Sequence, residues 1–407
     1  MKTLNDLLDE AARQAPAKPF LVTATESITF FELRQHVLGV AAGFAGQGIQ
    51  RGDCVAIVHR NSPHFVLAYF ALSRLGAIAV PINFMVQKPD ELAFMLGDCK
   101  CLGVVTQREF LKGLRGAAQK TPSLKTLWVT DFAAGAEQTG LEQPFLSLGG
   151  DVAALPAIDL AETDTASILY TSGTTGNPKG VMLTHRNFVT NCRASAAQMG
   201  LRESDVALGI LPMFHSFAWT GNVLVMMLMR AKLVISPAIA PAKPWLDLMA
   251  KHGVTLFSAV PQVYSVLAKE AVGLKRWALR WWYFRKVRFG ISGAAPLSRA
   301  VQEAFEAALG VPLLEGYGLT ETSPVATINA LGNRRSGSVG RAIAGVELKI
   351  IDDNEIPLTT NSEGEICVRG ENIMKGYYGL PQATRAAFTR DGWFKTGDVG
   401  VLDDEGF

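Results

Sequence analysis

Alternation between short apolar runs and helix-like segments constrains the fold of this chain more than any other sequence feature. Apolar runs at residues 54–58, 77–82, 102–106 and 126–130 predict buried strands, and segments with helical periodicity separate them. Parallel strands need long crossover connections, which are usually helices. The alternation therefore predicts an α/β fold, in which a parallel sheet is covered by helices.

The last part of the chain carries a different pattern. After Gly340, short alternating runs at residues 346–351 and 365–369 are separated by turns rich in Asp, Asn and Gly. This pattern predicts a small antiparallel β unit. We therefore divide the chain into an α/β region, residues 1–340, and a β subdomain, residues 341–407.

Composition and charge exclude several classes of protein. The 407 residues are 48% apolar and 19% charged, which is the balance of a globular chain and not of a disordered one. A formal net charge of +2 creates no general attraction for nucleic acid. We therefore expect no nucleic-acid partner.

Signals for export or membrane insertion are weak. Asp6, Asp9 and Glu10 interrupt any apolar region of a signal peptide, and the longest apolar run, residues 223–229, is too short to span a bilayer. The five cysteines form no C-x-x-C pair and suit free thiols in a reducing compartment. The sequence thus predicts a soluble, cytoplasmic protein.

A loop rich in glycine and hydroxyl groups follows the predicted strand at residues 166–170. Glycines let backbone N–H groups converge on one anion, hydroxyls add donors, and a lysine adds positive charge. The loop is therefore suited to a polyphosphate, although a simple polar connection is the alternative. It is not a Walker loop, because Lys179 precedes Gly180 and no Ser or Thr follows it. The candidate residues are Thr171, Ser172, Gly173, Thr174, Thr175, Gly176 and Lys179.

Four further stretches carry polar or aromatic residues suited to a site. His215 lies among aromatic residues in the run PMFHSFAW, and either lines a substrate pocket or is a satisfied core histidine. Small residues in the run ISGAAPLS leave room for a planar group. Tyr317, between two glycines, is placed to stack on a base. Glu321 either binds magnesium or is a solvated acid, and Asp398 either binds a ribose diol or is a turn residue.

In this order, these stretches resemble the adenylate-forming enzymes, which include acyl-CoA synthetases, luciferases and peptide-synthetase adenylation domains. The resemblance covers residues 28–407 and is most specific at residues 170–180, 316–321 and 393–398. It implies the large N-terminal domain of that fold, with two α/β sheets packed with helices and a small β-barrel-like subdomain. The runs MFHSF and YGLTETSP are most similar to those of fatty acid–CoA ligases.

The resemblance implies a two-step reaction. A medium- or long-chain fatty acid would react with ATP to give acyl-AMP, and coenzyme A would then displace AMP, with Mg²⁺ as the cofactor. The acid would contact His215, Phe217, Trp219 and Gly318. Thr174 and Glu321 would lie near the metal, and these two residues with Lys179 and His215 would be catalytic. The nucleotide would contact the loop residues above and Gly293, Ala294, Ala295, Glu315, Gly316, Tyr317, Gly318, Thr320 and Asp398.

The end of the chain departs from the family pattern. Family members continue into a hinge and a small C-terminal lid domain that carries a catalytic lysine, whereas this sequence stops at Phe407. We therefore expect the chain to bind ATP or acyl-AMP but to form the adenylate weakly.

Other functions stay open at this point. Within the enzymes, the alternatives are an acyl-AMP ligase that loads a carrier protein and an aryl-acid–CoA ligase. Outside them, the alternative is a nucleotide- or acyl-adenylate-binding module. A homodimer would agree with the family, although no stretch demands one.

Residues 275–289 combine six basic residues and no acid with several aromatic residues. If the segment is helical, Trp277, Trp281 and Phe284 share one face. Such a helix either lies at a membrane interface or packs into the core with a solvated basic side. Peripheral membrane contact through this segment is therefore one expectation.

Overall fold

The computed structural model describes residues 1–132, 140–171 and 177–407, and its elements alternate along the chain. The helices are α1 (Leu4–Gln14), α2 (Phe30–Gly46), α3 (Pro63–Arg74), α4 (Pro89–Asp98), α5 (Leu111–Ala118), α6 (His185–Met199), α7 (Ser216–Ala218), α8 (Val225–Leu228), α9 (Lys243–His252), α10 (Pro261–Glu270), α11 (Gly273–Ala278), α12 (Arg299–Leu309) and α13 (Pro381–Ala386). The strands are β1 (Pro19–Val22), β2 (Ser27–Thr29), β3 (Cys54–Val58), β4 (Ile78–Pro81), β5 (Gly103–Thr106), β6 (Thr126–Val129), β7 (Glu142–Pro144), β8 (Thr165–Thr171), β9 (Lys179–Thr184), β10 (Val206–Gly209), β11 (Lys232–Ile235), β12 (Leu256–Ala259), β13 (Phe289–Ser292), β14 (Leu313–Gly318), β15 (Val325–Ile328), β16 (Arg341–Ala342), β17 (Val346–Ile351), β18 (Glu363–Gly370), β19 (Gly376–Tyr377) and β20 (Phe394–Val401).

The first large sheet has eight strands in the order β19-β9-β8-β4-β3-β5-β6-β7. Strands β3 to β6 pair in parallel, which confirms the prediction from the alternating pattern. Strands β8 and β9 pair antiparallel, so the glycine-rich loop connects two neighbouring strands before helix α6 begins. Thr184 caps α6, because its side chain accepts the Asn187 N–H.

The second large sheet has nine strands in the order β16-β15-β14-β13-β12-β10-β11-β1-β2. Its centre, β10 to β14, is parallel, and β14 to β16 continue antiparallel. A third sheet, β17-β18-β20, is antiparallel and matches the alternating runs late in the sequence. The fold is therefore the predicted α/β class, with two large sheets and one small sheet.

One continuous apolar core joins the two large sheets. It contains Val55 and Ile57 from the first sheet and Leu233 and Ile291 from the second. Helix α3 is buried on most of its surface and lies within this core, which explains why its sequence is apolar on all sides. The core therefore holds the strand ends of both sheets at fixed positions.

Two structural observations bear on the expected surroundings of the protein. All five cysteines are buried free thiols. Among the helices that the structure describes, none combines the length and the apolar composition needed to cross a membrane.

His185 makes the stability of the fold depend on pH. It is buried at the start of α6, and its Nδ1 accepts the Leu4 N–H at 3.3 Å. Burial lowers its pKa from 6.5 to about 4, so the folded protein holds it neutral while the unfolded chain protonates it near pH 6.5. The unfolded state thus binds more protons between these values, and stability falls as the pH falls through this window.

We expect the protein to lose about 2 kcal/mol of stability between pH 7 and pH 5 through His185 alone. Replacing His185 by Gln should make the urea-unfolding midpoint less sensitive to this pH change. The same substitution at exposed His36 is the control. An unchanged pH dependence in the His185 variant would contradict the assignment.

Candidate active site

A cavity of about 810 Å³ lies where strand ends of the two large sheets meet. The first sheet contributes Thr171 and Lys179 to its wall, and the second contributes residues that follow β10, β12, β13 and β14. Ligands of parallel α/β sheets usually bind at such carboxyl ends of strands. This position makes the cavity the candidate active site.

The two ends of the glycine-rich loop lie at this cavity. Thr171 and Lys179 are directly paired across β8 and β9, and both line the cavity. The Lys179 Nζ lies 5.0 Å from the centre of the Tyr377 ring, within the range of a cation–π contact. The predicted phosphate residues Ser172, Gly173, Thr174, Thr175 and Gly176 lie outside the described residues.

Glu321 is a buried acid at the cavity and not a solvated one. It lies in a short 3₁₀ turn after β14, and its side chain is only 8% exposed. The Tyr377 hydroxyl donates to Glu321 Oε1 at 3.0 Å. Burial, and then the charge of Glu321, raise the pKa of Tyr377, so the phenol stays protonated and keeps donating. A bond between two sheets thus orients this carboxylate.

Tyr317 and Asp398 are in direct contact. The Tyr317 hydroxyl donates to Asp398 Oδ2 at 2.7 Å, and burial raises the pKa of Tyr317. Tyr317 lines the cavity, whereas Asp398 is exposed on β20 beside Thr396, another lining residue. The residues predicted to contact base and ribose are therefore adjacent. Thr320, beside Glu321, lines the same cavity.

Small residues keep part of the cavity wall open. Gly293 and Ala294 line the cavity, and a Cβ added at Gly293 would lie 3.3 Å from the Phe217 ring. A Cβ at Gly318 would lie 1.8 Å from the Pro324 carbonyl oxygen, so only glycine fits there. Gly316 also lines the cavity.

Three of the described residues predicted to bind nucleotide are not among those lining the cavity: Ala295, Glu315 and Asp398. Glu315 is buried, where Oε1 accepts the Leu297 N–H at 3.0 Å, and burial raises the pKa of its carboxyl group. The Glu315 side chain therefore holds the backbone of the segment after β13, and it affects the site by fixing the position of that backbone.

The four residues predicted to contact the acid have different positions, and Gly318 is among those that line the cavity. His215 and Phe217 line the cavity, and desolvation by surrounding groups lowers the pKa of His215, which keeps its ring neutral at pH 7. Trp219 does not line the cavity but is buried against Tyr69, with ring centres 3.9 Å apart. Trp219 therefore lies apart from His215 and Phe217, since residues two apart in this helical segment point in different directions, and its contact with the acid stays a prediction.

A buried asparagine that sequence reasoning missed holds the segment before His215. Asn61 follows β3 of the first sheet, and its Nδ2 donates to the Leu211 carbonyl at 2.8 Å. Its Oδ1 accepts the Met213 N–H at 2.8 Å. One side chain of the first sheet thus positions irregular backbone at the edge of the second.

Two further buried asparagines hold the segment after Glu321. Asn191 Nδ2 donates to the carbonyls of Thr322, at 3.2 Å, and Val325, at 2.7 Å. Asn372 Nδ2 donates to the same two carbonyls, at 2.9 and 3.3 Å. The only sequence signal for these residues is an asparagine within or beside an apolar run, which does not reveal its partner.

Comparisons with known proteins show which family this chain resembles. The family model described as AMP-binding enzyme matches residues 8–378. The 4-coumarate–CoA ligase 5 of Oryza sativa subsp. japonica is 35% identical over 93% of this chain and 70% of its own length. The long-chain-fatty-acid–CoA ligase of Bacillus subtilis (strain 168) is 31% identical over 100% of this chain and 76% of its own.

A solved structure of a CoA ligase has a similar fold. The long-chain-fatty-acid-CoA ligase (FadD1) from Archaeoglobus fulgidus superimposes with a TM-score of 0.89 at 28% identity. The match covers 100% of this chain and 83% of that chain. The fold is therefore shared with an enzyme that is described as a CoA ligase.

The asparagine contacts make a specific prediction about stability. Changing Asn191 to Asp keeps its shape but places carboxylate oxygen against two buried carbonyls. We expect a loss on the order of 3 kcal/mol, because two donors vanish and a buried acid gains no partner. Thermal or urea unfolding measures this loss. Asn354→Asp, on an exposed turn, is the control and should change stability little; an equal effect in both variants would contradict the assignment.

Proposed function

Because the chain belongs to the AMP-binding enzyme family, we propose that it converts a medium- or long-chain fatty acid into its coenzyme A thioester through an acyl-adenylate. Its relatives include AMP-forming CoA ligases, and the chain is an enzyme of this acid–thiol ligase class. In the first step a carboxylate oxygen bonds to the α-phosphorus of ATP, and pyrophosphate leaves. In the second step the thiol sulfur of coenzyme A bonds to the acyl carbon, AMP leaves with the bonding electrons, and the thiol proton passes to water.

One observation carries the proposal: a single cavity joins residues that suit a polyphosphate to an apolar wall. Lys179, Thr320 and Glu321 contribute charge and polar groups. The apolar part of the wall is formed by Leu211, Phe217, Ile239, Val260, Ile291, Val325 and Ile328. Such a cavity suits a reaction between a nucleotide and a hydrophobic acid.

The polar groups have separate roles in this proposal. Tyr317 would stack on adenine, Asp398 would accept a ribose hydroxyl, and Thr320 would donate to the α-phosphate. Lys179 would offset the charge that collects on the phosphates as the leaving group departs. Phosphoryl and adenylyl transfer depend mainly on such positioning and charge stabilisation, so no nucleophilic side chain is needed.

The residues at the cavity also fit a magnesium ion. Among the described residues, no group of three or more His, Cys, Asp or Glu side chains is arranged to hold a metal. Mg²⁺ usually binds one or two carboxylates and completes its shell with water and substrate phosphates, so the single buried carboxylate of Glu321 is sufficient. Bound there with Thr174, it would neutralise phosphate charge during adenylation.

His215 suits the reacting carboxylate. Its lowered pKa keeps the ring neutral, so it can donate one hydrogen bond without pairing as a cation with the nucleophilic oxygen. A full positive charge would stabilise the carboxylate and reduce its reactivity. A neutral donor therefore positions the acid while leaving its attack on phosphorus favourable.

A second candidate substrate is an aromatic acid. Ser292 lines the cavity, and its buried Oγ has no hydrogen-bond partner among the described residues. A phenol hydroxyl would satisfy it, and several relatives are 4-coumarate–CoA ligases. This observation favours aryl-acid–CoA ligase activity as the alternative to the fatty-acid reaction.

Stable acyl-adenylate analogues distinguish the two substrates without requiring turnover. We expect the dodecanoyl sulfamoyl-adenosine analogue to bind at least about tenfold more tightly than the 4-coumaroyl analogue, since more apolar area is buried. Isothermal titration calorimetry measures both, with unacylated sulfamoyl adenosine as the reference. Tighter binding of the 4-coumaroyl analogue, with that preference lost in Ser292→Ala, would support the aromatic acid as the substrate. Equal binding of all three ligands would contradict both proposed substrates.

Glu321 is expected to link magnesium to nucleotide binding. In Glu321→Gln, the increase in ATP affinity that Mg²⁺ produces should fall about tenfold, because the charged oxygen ligand is lost. Tyr377→Phe should give a smaller loss, because it removes only the bond that orients Glu321. Calorimetric titration with ATP, with and without Mg²⁺, measures the effect.

Matched controls separate this role from a general loss of structure. Glu347→Gln changes an exposed acid, and Tyr378→Phe changes the neighbouring tyrosine. Both should bind ATP as the unmodified chain does. A Glu321→Gln variant that keeps the full effect of Mg²⁺ would rule out the metal role.

A further inference from the structure

Exposed tryptophans are concentrated in one short segment of the chain. Trp277, Trp281 and Trp282 are 62%, 58% and 54% exposed, whereas the other four tryptophans of the sequence are buried. Val272 and Leu274, which is 89% exposed, lie beside them in sequence. We call these five residues the tryptophan patch. Clusters of exposed large apolar side chains mark interaction surfaces more often than single ones do.

The exposed residues of the tryptophan patch differ from the helix face that the sequence predicts. Phe284 was expected beside Trp277 and Trp281, but it is buried in the core. Helix α11 ends at Ala278 and continues as a wider π-helical turn over Leu279–Tyr283, which changes the direction of the following side chains. The core-packed interpretation therefore holds for Phe284, and the interface interpretation fits the tryptophans.

Buried apolar side chains and two hydrogen bonds hold the backbone beneath the tryptophan patch. Leu279 and Phe284 are buried among apolar residues of the second sheet and its helices. Arg276 donates from Nε and Nη2 to the carbonyls of Ala308 and Ala307, at 3.1 and 2.9 Å, at the end of α12. The indoles therefore point outward from a fixed backbone and not from a frayed one.

Positive charge surrounds the exposed rings. The Arg280 guanidinium lies 5.2 Å from the Trp281 ring, and that of Arg285 lies 5.5 Å from the Trp282 ring. Lys286 is exposed beside them. Nearby acids are already paired: Glu270 with Lys275, at 2.8 Å, and Asp247 with Lys243, at 2.7 Å. The chain as a whole has a net charge of only +2, so this is a local concentration of positive charge.

We propose that the tryptophan patch, with Arg280, Arg285 and Lys286, docks the protein on an anionic lipid surface. Indoles are favoured at the level of lipid headgroups, aliphatic side chains enter the acyl region, and arginine and lysine bind headgroup phosphates. A second copy of the chain fits less well, because a twofold contact would place the same cations against each other. Nucleic acid has no apolar layer for Val272 and Leu274.

The tryptophan patch and the cavity lie at opposite ends of the same strands. The Arg288 N–H donates to the Thr255 carbonyl just before β13 and β12 begin, which is the side on which residues 273–288 enter the sheet. The cavity receives Val260 and Gly293, which follow the other ends of these two strands. Docking through the patch thus leaves the cavity accessible to ligands dissolved in water. This inference is independent of the proposed reaction.

Co-sedimentation with vesicles tests the docking surface on the full chain. We expect the protein to bind vesicles of mixed phosphatidylcholine and phosphatidylglycerol at least about tenfold more tightly than vesicles of phosphatidylcholine alone. Binding should weaken as salt is raised, and tryptophan fluorescence should shift to shorter wavelength. The double variants Trp281→Ser with Trp282→Ser, and Arg285→Glu with Lys286→Glu, should each reduce binding about tenfold or more.

Matched surface variants provide the controls. Leu146→Ser with Ile356→Ser removes two exposed apolar side chains elsewhere, and Lys88→Glu with Lys112→Glu makes the same change of charge. Both should bind vesicles as the unmodified chain does, and circular dichroism and thermal unfolding check that every variant folds.

Three results would overturn the proposal. The first is no binding to either vesicle, and the second is an equal loss of binding in patch and control variants. The third is vesicle binding that does not depend on the patch residues, when self-association or binding of a single-stranded oligonucleotide does depend on them.

Discussion

The candidate site depends on hydrogen bonds from buried asparagine side chains to backbone at strand ends and in the short segments beside them. A cavity at strand ends is lined by irregular segments whose carbonyl groups have no partner in a sheet, and leaving such groups buried and unpaired costs about 1–3 kcal/mol each. Asn61, Asn191 and Asn372 provide the missing donors at the segments that carry His215 and Glu321. An asparagine amide suits this role because it donates and accepts without adding charge.

These contacts also connect the two large sheets. Asn61 follows a strand of the first sheet and binds backbone at the edge of the second, and Tyr377 of the first sheet donates to Glu321, which follows β14 of the second. The chemistry proposed here needs the phosphate-binding side and the acid-binding side at a fixed separation. Side chains that cross between the sheets, together with the shared core, set that separation. The exposed tryptophans lie away from this junction, at the other ends of the second sheet's strands, where docking does not disturb it.

Parts of the structure could be predicted because they follow from local patterns. Alternating apolar and helical runs identified the parallel strands β3 to β6. Tyr377 was missed because its pair of strand residues is short and its partner, Glu321, lies 56 residues away in the sequence. Trp219 was predicted to contact the acid because its neighbours are aromatic, and only the structure shows that the helical segment turns its ring toward Tyr69.

The sequence by itself determined the fold class, the family and some of the residues that line the cavity, because periodicity and short motifs are properties of neighbouring residues. Only the tertiary structure decided which of these residues meet: Thr171 opposite Lys179, Tyr317 against Asp398, and Tyr377 against Glu321. It also decided that Phe284 is buried while Trp281 is exposed, because the π-helical turn over Leu279–Tyr283 cannot be predicted from the periodicity of the sequence. Contacts between distant segments depend on the packing of whole sheets, and that packing is set by the complete core and not by any one stretch.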